Sequence, residues 1–185
     1  MSNIIKLKTP FTNESIASLK AGDMVSISGE IYTARDAAHK RLVDLLDAGK
    51  ELPFDIKGAV IYYVGPSPAK PGKVIGSAGP TTSYRMDAYA ERLMEVGMKG
   101  MIGKGKRAKD VVDAMVKHKA VYFAAIGGAA ALIARSIKSV ELVAYEDLGP
   151  EAIRRMVVED FQVMVINDLS GADLYEMGQA QYKVS

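Results

Sequence analysis

Gly79-Pro-Thr-Thr-Ser-Tyr-Arg-Met-Asp-Ala-Tyr-Ala-Glu-Arg-Leu-Met-Glu-Val-Gly-Met-Lys-Gly-Met-Ile-Gly-Lys-Gly105 decides the architecture. Its apolar residues Met86, Tyr89, Ala90, Leu93 and Met94 recur at three- and four-residue spacing, the mark of a helix with one buried face. Gly100-Met-Ile-Gly103 then reads as a short strand ended by Lys104-Gly105. A helix opened by Gly-Pro and hydroxyl residues and followed at once by a strand is the unit of an α/β fold.

The unit recurs downstream. A helix is predicted from about Arg107 to His118 with Val111, Val112 and Met115 inward, then a strand from Val121 to Ile126, Gly127-Gly128, and a small-residue helix from Ala129 to about Ala134. Two β-type runs, Ser139 to Tyr145 and Phe161 to Asn167, flank a helical turn after Leu148-Gly149-Pro150. Upstream, Ala59-Val-Ile-Tyr-Tyr-Val64 reads as a strand, and a Pro/Gly/Lys loop reaches a second short strand at Val74-Ile75. Before it, Ala38, Leu42, Leu45 and Leu46 define a helix from Arg35 to Ala48, with Thr33 as its N-cap and Gly49 as its C-terminal signal. Ile4, Ile5 and Leu7 and the alternating run from Met24 to Tyr32 are strands. Several strands in succession at both ends argue for mixed α/β with more than one sheet. Residues 1–185 read as one domain, with 171–185 as a polar surface tail.

The 185 residues suffice for one real core, and a net charge of +2 from 24 basic and 22 acidic side chains gives no nucleic-acid-binding surface. The first residues lack a signal-peptide pattern, and the most apolar stretch, 120–134, is too short for a bilayer, so a cytoplasmic protein without a membrane contact is expected. The absence of cysteine excludes disulfides, thiolate nucleophiles and thiolate metal ligands in this chain. Two histidines, His39 and His118, do not make a zinc site, so any metal is expected on another chain.

Three strand-to-helix junctions carry cationic or hydroxyl residues: Thr33-Ala-Arg35, Gly79-Pro-Thr-Thr-Ser-Tyr-Arg85 and Gly103-Lys-Gly-Lys-Arg107. A helix N-terminus attracts anions through its unpaired N–H groups and dipole. A cation in the first turn opposes that dipole by a few tenths of a kcal/mol to about 1 kcal/mol, a placement that an anionic ligand such as a dicarboxylate explains. Each junction also has a plainer reading. Thr81, Thr82 and Ser83 serve as helix caps, Gly79-Pro80 as a turn, Arg35 as a surface partner of Asp36 or Glu30, and Lys104 as one solvated charge in a basic run. A phosphate loop is disfavoured because G-x-x-x-x-G-K-[ST] is absent. His39 lies one turn beyond Arg35, either supporting that face or as an ordinary helix-surface histidine.

Gly29-Glu-Ile-Tyr-Thr-Ala-Arg-Asp-Ala-Ala-His39, Gly79-Pro-Thr-Thr-Ser-Tyr-Arg-Met86 and Gly103-Lys-Gly105, in this order, resemble the β subunit of class I fumarate hydratases. The likeness continues through Ile126-Gly-Gly-Ala-Ala-Ala131, Ser136-Ile-Lys-Ser-Val-Glu141, Glu146-Asp-Leu-Gly149 and Val158-Glu-Asp-Phe161. It implies a swivelling β/β/α domain with mixed sheets and helices at strand ends. It also implies a partner α subunit, in an α2β2 heterotetramer, that ligates a [4Fe-4S] cluster through three cysteines. Carried onto this sequence, Arg35, Arg85 and Lys104 bind the carboxylates of fumarate or malate, Thr81 handles the proton at C3, Thr82 and Ser83 line the pocket, and Asp36, His39 and Gly79 stand behind them. The β subunits of L-tartrate dehydratase and of mesaconate hydratase are the neighbouring readings, with Ile126-Gly-Gly-Ala-Ala130 resembling the fumarase version. A non-catalytic anion-binding module, which needs no cluster-bearing partner, is the reading from a different class.

Overall fold

The computed structural model describes residues 4–125 and 130–182, with side chains for 4–125 and 133–180. Residues 126–129, part of the segment that favours the fumarase version, lie outside the described residues. β1 (Ile5–Lys8) and the one-turn helix α1 (Asn13–Ile16) lead to β2 (Met24–Thr33), α2 (Asp36–Asp47) and β3 (Val60–Tyr62). A 3-10 turn at Ser83–Met86 runs directly into α3 (Asp87–Glu95) and is followed by β4 (Gly100–Gly103), α4 (Lys109–His118) and β5 (Val121–Ala125). Then come α5 (Ala130–Ser136), β6 (Ile137–Ala144), a second 3-10 turn (Glu146–Glu151), β7 (Ile153–Asn167) and α6 (Leu174–Tyr182).

The seven strands of the described residues form one sheet in the order β1-β2-β3-β4-β5-β7-β6, and β7 also pairs with β2, so the middle strands close into a barrel. This corrects the expectation of more than one sheet. The reason is the length of β7. Its first half pairs with β6, its last residues with β5, and most of its other edge with β2, all antiparallel. In sequence, Arg154, Arg155, Glu159 and Asp160 hide that first half. In the fold Arg155 reaches Glu30 at 3.3 Å and Glu141 at 2.5 Å on the neighbouring strands, so the charges sit on a solvated face.

Side-chain alternation on the parallel strands makes two cores. Val60, Tyr62, Ile102, Val121 and Phe123 fill the barrel with Val25, Ile27 and Phe161, where Tyr62 and Phe161 meet edge-on at 5.4 Å. Ile61, Tyr63, Met101 and Tyr122 face outward, under Leu42 of α2, Met86, Ala90 and Leu93 beside and on α3, and Met115 of α4. Strands buried on both faces read as continuous apolar runs, which is why β3, β4 and β5 were legible.

Three local expectations change. Thr33 does not cap α2: its buried hydroxyl donates to the Ala152 carbonyl at 3.3 Å and accepts the Arg154 N–H at 3.0 Å, fastening the end of β2 to the start of β7. Val74-Ile75 is not a strand. The loop around it is closed on itself, with the Ser67 N–H bonded to the Ser77 carbonyl at 2.9 Å and the Ser77 N–H to Ser67 Oγ at 2.7 Å. In the segment read as a polar tail, Leu174–Tyr182 form α6, whose start is organised by Asp173 accepting the Tyr175 N–H at 2.8 Å. Gly49 does end α2, at φ +66°, with its N–H bonded to Leu46 and that of Lys50 to Leu45. No helix among the described residues is long and apolar enough to cross a membrane.

Candidate active site

β2, β3 and β4 are parallel neighbours in register Thr33–Tyr62–Ile102, so the segments after them leave from one edge of the sheet. The carboxyl ends of adjacent parallel strands are where α/β proteins build ligand sites, because loops and helix starts converge there. Arg35 follows β2, Thr81 follows β3 after a loop, and Lys104 follows β4.

Arg35 is the residue before α2, in extended backbone, and its side chain is largely covered. Its Nη2 pairs with Glu151 Oε1 at 3.1 Å, while Glu151 Oε2 accepts the Ala37 N–H at 3.3 Å. One carboxylate from the 3-10 turn before β7 therefore both neutralises the arginine and occupies the first turn of α2. Glu151, and neither Asp36 nor Glu30, is the partner, and nothing local in the sequence signals it. Gly65 lies so close to Arg35 that a Cβ there would come within 3.0 Å of Nη1. Asp36 turns the other way and pairs with Arg85, which joins the first junction to the second.

His39 is fully buried, not a helix-surface residue. Its Nδ1 lies 2.9 Å from the Arg35 carbonyl, which only accepts, so Nδ1 carries the proton. The ring meets Tyr63 edge-on at 5.2 Å, and burial pushes its pKa down to about 4, leaving it neutral. Tyr63 in turn accepts the Thr81 N–H on its carbonyl at 2.7 Å.

The second and third junctions are zipped together. Thr82 and Lys104 form a parallel bridge, the Ser83 N–H donates to the Lys104 carbonyl at 2.9 Å, and the Lys104 N–H donates back to Ser83 Oγ at 3.1 Å. The Ser83 hydroxyl then donates to Tyr122 Oη at 2.8 Å, and Tyr122 donates to the Gly105 carbonyl at 2.9 Å. Ser83 thus has no exposed surface, and its hydroxyl is engaged with Lys104 and Tyr122. No hydroxyl of Thr81, Thr82 or Ser83 caps the helix, so the capping explanation does not account for them. Thr81 and Thr82 stay partly exposed, Arg85 is half-exposed, and Gly79 and Lys104 are exposed.

Acidic side chains of the chain itself take N–H groups at two of the helix starts: Glu151 at α2 and Asp87 at α4. The approach to α4 is taken by Asp87, whose Oδ2 accepts the Ala108 N–H at 2.9 Å and whose Oδ1 accepts from Arg107 Nε at 2.6 Å. Arg107 is buried, with its guanidinium carbon 5.5 Å and 5.0 Å from the Tyr63 and Tyr122 ring centres, so this cation of the third junction is not presented at the edge. Arg35, Arg85 and Lys104 are the cations that the three junctions bring to this edge.

A model of the fumarase C-terminus matches residues 1–178. The chain belongs to that family. Within it, the anaerobic class I fumarate hydratase of Escherichia coli is 46% identical over 154 residues, covering 82% of this chain and 28% of its own. Fumarate hydratase 2 of Leishmania major is 38% identical over 175 residues, 92% of this chain and 31% of its own. A protein of Methanocaldococcus jannaschii named putative L(+)-tartrate dehydratase subunit beta is 37% identical over 171 residues, covering 89% of this chain and 88% of its own. The chain thus spans less than a third of the two fumarate hydratases and nearly all of the subunit. The ligand set that the family resemblance implies for an iron–sulfur cluster does not fit this chain, which has no cysteine. Among the described residues the one acid–histidine grouping is Glu91, Glu95 and His118, whose carboxylates are taken by Lys117 at 3.1 Å and Arg92 at 3.0 Å.

Proposed function

We propose that this chain is the substrate-binding β subunit of a hydro-lyase that reversibly hydrates fumarate to (S)-malate. The observation that supports the reading is the linkage of Arg35, Thr81, Arg85 and Lys104 at one strand edge, through Asp36–Arg85 and Thr82–Lys104, in a chain of the fumarase C-terminus family. Arg35 and Arg85 offer planar forks that match a carboxylate with two hydrogen bonds, and Lys104 offers a point charge for the opposite end. Two fixed ends leave the C2–C3 bond of a four-carbon diacid in one orientation, which lowers the entropic part of the barrier.

Thr81 lies between those anchors in sequence and takes the proton at C3 in the dehydration direction. A free threonine hydroxyl is too weak a base, and the neighbouring cations favour its ionised form. Asp36 and Glu151 hold the two arginines in place before the diacid arrives. The [4Fe-4S] cluster is assigned to a cysteine-bearing α subunit, in an α2β2 assembly where this domain swivels against its partner. Because a relative of nearly this length carries the tartrate dehydratase name, L-tartrate is the second substrate to try.

The test is the anaerobic absorbance change of malate to fumarate, for this chain alone and with the reconstituted α chain. Turnover only in the mixture is expected, and Arg85→Ala should lower kcat/KM at least about 100-fold, near 3 kcal/mol. Turnover of tartrate but not malate would move the substrate, and silence with every hydroxy-diacid would leave an anion-binding module.

A further inference from the structure

We propose that Tyr122 is a positioning residue for Lys104, acting through Ser83 to fix the lysine's place relative to Thr81. The inference rests on the assignment of Thr81 and Lys104 to the diacid site. Tyr122 belongs to β5, one strand beyond those that carry the site, and no local pattern in the sequence marks it. Its ring is packed in the outer core, where a phenylalanine would fill the same space. A buried hydroxyl is unfavourable unless it is bonded, so its presence needs partners, and it has two.

Those partners make a directed chain. The Lys104 N–H donates to Ser83 Oγ, the Ser83 hydroxyl to Tyr122 Oη, and the Tyr122 hydroxyl to the Gly105 carbonyl, at 3.1, 2.8 and 2.9 Å. Both hydroxyl protons are spoken for, because each hydroxyl has one. With the Ser83 N–H on the Lys104 carbonyl at 2.9 Å, Lys104 is gripped at both main-chain atoms and Gly105 at its oxygen. Thr81 is two residues before Ser83, so the grip sets the spacing between the proton-handling hydroxyl and the ammonium. Gly103 is part of the device: a Cβ there would overlap the Ser83 hydroxyl, so only glycine lets β4 pass so close. The device leaves the Lys104 side chain exposed while its backbone is held from beneath, which suits a group that must meet a ligand in one place.

The experiment is a double-mutant cycle in the assembled, cluster-loaded enzyme, with Tyr122→Phe, Ser83→Ala, Lys104→Ala and the Tyr122→Phe/Lys104→Ala pair. Lys104→Ala alone should lower kcat/KM about 100-fold, and Tyr122→Phe alone about tenfold, with thermal midpoints near that of the parent. In the Lys104→Ala background Tyr122→Phe should change kcat/KM less than about twofold, since the group it positions is gone. Hydrogen exchange of the peptide covering 103–105 in the complex should quicken in Tyr122→Phe and in Ser83→Ala, which provides a readout independent of turnover. An equal Tyr122→Phe effect with and without Lys104, or unchanged exchange and kinetics, would overturn the positioning role while leaving the site assignment intact. Near-parent kinetics for Lys104→Ala would instead overturn the site assignment on which it rests.

Discussion

His39 sits on α2 where one turn of helix brings its ring back to the Arg35 carbonyl, so the position of the first arginine and the protonation of a buried imidazole are linked. Burial holds the folded pKa near 4, below the 6.5 of an unfolded chain. A depressed histidine pKa means the unfolded state binds the extra proton first. The neutral ring's contribution is therefore complete above about pH 6.5 and is lost as the pH falls towards 4. Between pH 7 and pH 5 the chain should lose about 2 kcal/mol of unfolding free energy through this group. Urea unfolding of the parent and His39→Gln at both pH values measures it as the part of the pH slope that the substitution removes. Equal slopes would mean the ring is hydrated in the folded state. At this scale the sequence disclosed the chemistry but not the partners. Arg35, Thr81, Arg85 and Lys104 stand out by type and by position after strands. Glu151 and Tyr122 do not, because their roles arise from contacts between segments far apart in the chain, and no local pattern carries such a pairing.

The elements divide in the same way. Helices α2, α3 and α4 were legible from their apolar stripes, and β4 from its bounds at Gly100 and Gly103. β7 was half legible because its first half alternates charge with apolar residues on a solvated face, and α6 was hidden by polar composition. The cap of α2 failed because the Thr33 hydroxyl is spent across the sheet, a competition that tertiary structure decides. Glycines at the element ends give a sharp contrast. Gly103→Ala puts a methyl group into the Ser83 hydroxyl where β4 packs on the 3-10 turn, and overpacking of this kind costs about 1–3 kcal/mol. Gly79→Ala meets nothing within 4 Å, and its backbone is outside the positive-φ region. It should change stability by less than about 0.5 kcal/mol. Thermal or urea midpoints of the two variants test the pair, and a neutral Gly103→Ala would show that β4 and the 3-10 turn separate easily.

For the whole molecule, the decisive feature is that the two cores share their strands. Along β3 and the residue after it, Val60 and Ile61, then Tyr62 and Tyr63, belong alternately to the barrel interior and to the layer under the helices. A strand cannot leave one core without leaving the other, so barrel and helical layer should unfold together. Phe161 tests this from the barrel core, which α2, α3 and α4 do not enter. It lies on β7, the strand that closes the barrel, is fully buried, and packs edge-on against Tyr62. Phe161→Ala should cost about 3–5 kcal/mol through lost burial and the space left behind. If the cores are one cooperative unit, the loss appears equally in far-UV circular dichroism, which follows the helices, and in near-UV signals from the buried tyrosines. Coincident midpoints shifted together are expected. A helical transition that stays near the parent midpoint while the tyrosine signal moves would mean that the outer layer holds without the barrel. In that case Arg35, Thr81 and Lys104 would owe their positions to helix contacts alone, whereas a shared transition ties the geometry of the proposed site to closure of the barrel by β7.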